Sequence, residues 1–185
     1  MSSKDSSAFL AEGEERLAAE DWDGAVAAFQ KAAAAAPGTA LPHSKLGVAY
    51  VHKRQWDDAQ AEFSKAIQLD PRYAPAHSNL GNVYRERGQL DQAVACYQKA
   101  IAMDPEYWIA HQNLGIVYKQ QGRVGDAVRE FKTATRLSLR AGGRSAGAGT
   151  RGASGAAGRT GRMGCLGGGG MTVVALLAFA ALLRR

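Results

Sequence analysis

The sequence predicts an all-α protein in which helix-turn-helix repeats stack into a right-handed superhelical solenoid, followed by a flexible linker and a C-terminal hydrophobic helix. Three observations carry that expectation. From residue 40 to 139 the same residue types return every 34 positions. Within each period the apolar positions are spaced for two helices, at i, i+3, i+4 and i+7. Past residue 139 the chain becomes glycine-rich and then apolar.

The first helix of a period is marked by Leu46, Leu80 and Leu114, each followed by a glycine (Gly47, Gly81, Gly115) and, three residues on, by Tyr50, Tyr84 and Tyr118. The second helix is marked by Ala59, Ala93 and Ala127, then Phe63, Tyr97 and Phe131, then Ala66, Ala100 and Ala134. Pro71 and Pro105 end two of these second helices, since proline cannot donate to the preceding turn and restricts the residue before it. The glycines are expected to let two helix backbones approach closely. One helix pair cannot bury its own apolar stripe, so neighbours must stack. A 34-residue period with L-G-x-x-Y, then A-x-x-x-F/Y, then proline resembles the tetratricopeptide repeat.

Four units are read in the same register, at 6–39, 40–73, 74–107 and 108–139. The first keeps Gly13, Ala25, Phe29, Ala32 and Pro37 but has Glu12 and Arg16 where leucine and tyrosine recur, which suits a terminal repeat whose outer side meets water. Its alanine run, Ala32 to Ala36, completes a second helix. The fourth has Leu139 in the proline place, and no amphipathic helix follows to solvate it, so exposure is expected near Phe131 and Leu137. Met1 to Ser7 is Ser-rich and charged, without the apolar run of a secretory signal.

Residues 140–162 read as a Gly/Arg-rich flexible linker, poor in apolar surface to offset ordering entropy. Residues 163–183 form an uncharged run of 21 residues. As a helix it would extend roughly 31 Å, against a hydrocarbon core of about 30 Å. It is therefore a candidate transmembrane or interfacial helix. Arg140, Arg144, Arg151, Arg159 and Arg162 precede it, which would keep the repeats on the cytoplasmic face of a bacterial membrane. Docking of the tail onto the uncapped repeat face and a processed signal remain as alternatives, and an RNA-binding Gly/Arg tract is disfavoured by the lack of aromatic residues for stacking.

The net charge of +6 belongs to the tail: residues 1–139 carry 16 Lys/Arg against 17 Asp/Glu. A general nucleic-acid footprint is thus excluded from the repeats. Cys96 and Cys165 have neither ligand nor disulfide spacing. His43, His77 and His111 stand one period apart, so repetition accounts for them, and packed, hydrogen-bonded side chains are expected in place of a metal site. Asp57 and Asp58 fit a helix start, where they favour the dipole. No catalytic constellation, phosphate loop, cofactor or small-molecule site is read from the chain.

The resemblance implies a concave groove lined by the first helices. Carried onto this sequence, the lining includes Lys45, Asn79, Asn82, Arg85, Asn113 and Lys119, polar with a basic bias. Asn79 and Asn113 are repeat equivalents whose amides suit bidentate bonding to an extended peptide backbone. A chaperone-type carboxylate clamp is incomplete, with Leu10 and Glu14 in the first unit's Lys and Asn places and Asn113 in an Arg place. The resemblance implies a non-enzymatic scaffold or adaptor for a peptide or partner protein, with an acidic partner favoured by Lys45, Arg85 and Lys119. The rival reading is an accessory subunit of an enzyme or of a secretion or assembly machine.

Overall fold

The computed structural model describes residues 3–147. They form α1 (Ser3–Ala18), α2 (Trp22–Ala35), α3 (Ala40–His52), α4 (Trp56–Leu69), α5 (Ala74–Glu86), α6 (Leu90–Met103), α7 (Trp108–Gln120) and α8 (Val124–Gly147), with no strand among the described residues. Each period contributes one antiparallel pair. The turn between the two helices needs one residue in the left-handed region, and the same repeat position supplies it each time: Glu20, Arg54, Gly88 and Gly122, at φ 59°, 57°, 74° and 75°. Two of the three links between units are set by aspartates at the helix ends. Asp70 Oδ1 accepts from the Arg72 amide at 2.9 Å and Asp104 Oδ1 from the Glu106 amide at 3.0 Å, turning the chain through Pro71 and Pro105.

Within a pair, the aromatic ring of the second helix seats against the glycine of the first. A Cβ on Gly47 would stand 2.7 Å from Phe63 Cε1, on Gly81 2.7 Å from Tyr97 Cε1, and on Gly115 2.7 Å from Phe131 Cε1. The recurring glycine therefore makes room for a ring, where the sequence suggested close backbones. Phe29, Phe63 and Tyr97 are fully buried by this seat and by the next unit. Burying such a ring is worth roughly 2–3 kcal/mol, so the core is a row of equivalent clusters along the array.

Successive first helices also touch, α1 on α3, α3 on α5 and α5 on α7, whereas among the described residues no two second helices do. The units are closer on the side of the first helices, so the array curves around them and they line its inner surface. Neighbouring units are further latched at one repeated place: Lys53 Nζ lies 2.6 Å from Asp23 Oδ1, Arg87 reaches Asp57, and Gln121 Nε2 donates to Asp91 Oδ1 at 2.8 Å. Asp57, expected to serve only a helix terminus, thus ties two units together. The cap seen at a helix start is instead Asp21, which accepts from the Gly24 amide at 2.9 Å.

The last helix departs from the sequence reading. It runs past Leu139 to Gly147, so the segment from 140 begins as helix and not as linker. Leu137, expected to be exposed, is buried, and Arg140 stands 3.5 Å from Glu106 on the preceding loop, contacts that favour continuing the helix. Phe131 is only partly buried, as expected, and Val128 and Leu139 are exposed beside it. Among the described residues no helix is long and apolar enough to cross a membrane; the 163–183 segment lies outside them.

Candidate functional site

The inner surface is built from two columns of side chains on the first helices. One holds Lys45, Asn79 and Asn113; the other holds Glu14, Val48 and Asn82, one unit earlier in each case. Facing residues bridge the boundary between units. Lys45 Nζ lies 2.6 Å from Glu14 Oε1, joining α3 to α1. Asn113 Nδ2 donates to Asn82 Oδ1 at 3.1 Å, joining α7 to α5. At the middle boundary the corresponding pair is Asn79 and Val48, and valine offers no acceptor. The half-buried Asn79 amide consequently has no hydrogen-bond partner among the described residues.

Asn82 is fixed from below as well, because Tyr97 Oη donates to the same Oδ1 at 2.7 Å. Burial pushes the Tyr97 phenol well above its ordinary value, with the nearby Arg85 opposing, so it stays a neutral donor. Of the cations placed here from the sequence, Arg85 is paired with Glu86 at 3.0 Å and Lys45 with Glu14. Lys119 is exposed at the end of α7 and has no ion-pair partner among the described residues. The six candidates therefore divide. Lys45, Asn82 and Asn113 hold the units in register, while Asn79 and Lys119 keep free polar groups and Arg85 keeps a pair that solvent weakens.

The repeated histidines lie between the two helices of each unit. His43 Nδ1 is 2.7 Å from Glu62 Oε2 and His111 Nδ1 is 2.7 Å from Glu130 Oε2. In the third unit the acid's place is taken by Cys96, and His77 Nε2 lies 3.0 Å from the Pro71 carbonyl. Burial raises the Cys96 thiol above its ordinary pKa, which makes it a packed and unreactive group. Among the described residues no group of three or more His, Cys, Asp or Glu side chains is placed to hold a metal ion. The sequence reading missed the cross-boundary bridges. Their signal was available as complementary residues 31 apart in the inner column and 30 apart in the latch.

An open array of helix hairpins whose first helices line a curved polar surface is a repeat-type interaction module. The family comparison gives it a name. Three tetratricopeptide-repeat models match at residues 40–73, 62–95 and 81–122. Residues 40–122 of this chain are tetratricopeptide repeats. No curated protein sequence matches it. Among solved structures it is similar to MamA, at 26% identity over 75% of this chain and 81% of that one, with a TM-score of 0.64. PilF of Pseudomonas aeruginosa is 25% identical over 72% of this chain and 61% of PilF, at a TM-score of 0.67. The first tetratricopeptide domain of Spaghetti (RPAP3), solved with the HSP90 peptide SRMEEVD, shares the fold at 18% identity, covering 66% of this chain and 97% of that domain, at a TM-score of 0.61.

Proposed function

We propose that this chain is a non-enzymatic adaptor that holds an extended segment of a partner protein along the inner surface of its first helices. The observation that carries the reading is the broken bridge at the middle boundary. Asn79 offers a donor and an acceptor that the fold does not consume, halfway along the inner surface and nearly two turns before Arg85. Lys119, on the next first helix, supplies an unpaired cation, which favours an acidic segment. That a domain of the same fold was solved with a peptide supports a peptide or protein segment as the ligand. The tail supports a tether: the run 163–183 matches a bilayer in length, and the preceding arginines favour the cytoplasmic face of a membrane.

The test is capture of partner proteins from a cell extract by the full chain. Asn79→Ala combined with Lys119→Glu should lower capture by about ten-fold, or roughly 1.4 kcal/mol, and leave the melting temperature unchanged. Retained capture would exclude the inner surface as the contact. An accessory subunit of a larger machine predicts instead a fixed set of co-purifying proteins that this double variant does not release. For the tether, the full chain should sediment with membranes, and Leu177→Arg, costing about 2.5–3.5 kcal/mol at a bilayer centre, should move much of it to the supernatant. Full-length protein wholly in the supernatant before that change would remove the tether and leave the adaptor.

A further inference from the structure

The last helix pair presents a face that every other pair covers. In α6, Val94, Tyr97 and Ile101 pack in a core cluster with Leu114, Val117 and Tyr118 of α7. The same places in α8 hold Val128, Phe131 and Thr135. Tyr97 is 0% exposed, but Phe131 is only partly buried, Val128 is 45% exposed and Leu139 is 71% exposed. With Lys132 and Arg136 they line an open apolar depression of about 630 Å³. A second hollow of about 210 Å³ continues it onto α7, with Trp108 and Gln112 on one wall and Phe131 shared between the two. The floor is thus made by both helices of the last unit, as the floor under α7 is made by α5 and α6.

We infer that this end face docks an amphipathic α-helix of another protein, lying where a fifth first helix would lie and carrying a carboxylate opposite Lys132. The shape follows from the array itself, since α3, α5 and α7 each cover the corresponding face of the unit before. The charge follows from a substitution. In the first and third units the place of Lys132 holds Gln30 and Gln98, which donate to the hydroxyls of Tyr50 and Tyr118 on the covering helix at 3.2 and 3.3 Å. One turn further, Ala34, Gln68 and Ala102 become Arg136. Inner boundaries are neutral here and the outer one is cationic. Neither Lys132 nor Arg136 has an ion-pair partner among the described residues, whereas the neighbouring Arg129 and Arg140 are held by Asp126 and Glu106. The covering helix should therefore bear acid where Tyr118 bears a hydroxyl.

A second copy of the chain fits poorly. Stacked head to tail, it would bring Arg16 to the place of Tyr118, against Lys132, and Glu12 to the place of Leu114, against the apolar floor. A flat anionic bilayer would reach Leu139 and Val128 but not Phe131 at the bottom of the depression. A helix fills it.

The experiment uses the full chain and a stapled, fluorescent peptide copying residues 107–121, the helix that covers this face of α6, in two versions: Tyr118→Glu and Tyr118→Lys. The Glu version should bind about ten-fold more tightly than the Lys version. Lys132→Glu with Arg136→Glu in the protein should reverse that preference. Val128→Glu, at an exposed position, should abolish binding of the Glu version without changing the melting curve, and Asn79→Ala should leave it untouched, which separates this face from the inner surface. The inference is overturned if the Glu version shows no saturable binding, or if both versions bind equally. It is overturned as well if Val128→Glu abolishes concentration-dependent self-association in sedimentation equilibrium, which would make a second copy the occupant. Capture of the chain by phosphatidylserine vesicles, sensitive to Val128→Glu and without peptide binding, would assign the face to a membrane and overturn it too.

Discussion

At the first end of the array, the places that hold Leu46 and Tyr50 in the second unit hold Glu12 and Arg16, and Arg16 is engaged by Asp21 at 2.7 Å and by Glu12 at 3.5 Å. The hydrogen bond from Arg16 and the amide of Gly24 hold the Asp21 carboxyl below its ordinary value. At the last end, Val128, Phe131 and Leu139 keep the apolar character of an inner boundary with nothing on them among the described residues. The two ends are built from the same repeat and carry opposite outer faces. A repeat closes when its outer stripe is made polar and its charges are paired among themselves; left apolar, the stripe remains an interface.

The largest effect that would sharpen this contrast comes from the rings. Phe63→Ala empties a fully buried seat between two units and should cost about 3–5 kcal/mol. Phe131→Ala removes a ring that is covered by its own unit alone, so the loss should be about half as large. Urea unfolding followed by circular dichroism measures both. Equal costs would mean that Phe131 is covered in solution, and the two ends would no longer differ. A smaller version of the same contrast lies in the glycines. Gly81→Ala drives a methyl group toward the caged ring of Tyr97, 2.7 Å away, and should cost about 1–3 kcal/mol. Phe131 has open space to move into, so Gly115→Ala should cost under about 1 kcal/mol.

The fold was legible because a repeat prints its core three or four times over. Leu46, Leu80 and Leu114 each testify to the same position, and one pattern fixes every helix pair. What the sequence hid is what crosses from one unit to the next. Asn79 and Asn113 look identical along the chain, yet Asn113 meets Asn82 while the repeat place corresponding to Asn82 in the unit before Asn79 holds Val48, so a single residue in the preceding unit decides whether the amide is consumed or free. Lys45 reads as a groove cation until Glu14 is found beside it. The seat of the rings on Gly47 and Gly81 was hidden for a related reason: a glycine shows that space is needed but not what fills it. Removing the bridge should register as stability, with Asn113→Ala costing about 1 kcal/mol and Asn79→Ala almost nothing in the same unfolding experiment.

The smallest expected effect checks that the contrast between the ends belongs to their faces and not to a general difference between the two halves of the array. The helix-to-helix turns do differ between halves: Glu20 and Arg54 occupy the left-handed position in the first two units, Gly88 and Gly122 in the last two. A residue with a Cβ held at φ 57°, as Arg54 is, carries about 1 kcal/mol of strain. Arg54→Gly relieves that strain but frees the unfolded chain by about 0.4–1 kcal/mol, so the net gain should be a few tenths of a kcal/mol. Gly88→Ala runs the same balance in reverse and should lose about as much, since nothing stands within 4 Å of where its Cβ would be. Mirror-image shifts in the urea midpoint, both far smaller than the gap between Phe63→Ala and Phe131→Ala, would place the asymmetry in the end faces. A loss of stability in Arg54→Gly comparable to that of Gly81→Ala would instead mean that the first two units depend on the Arg54 side chain, and the halves of the array would have to be compared turn by turn.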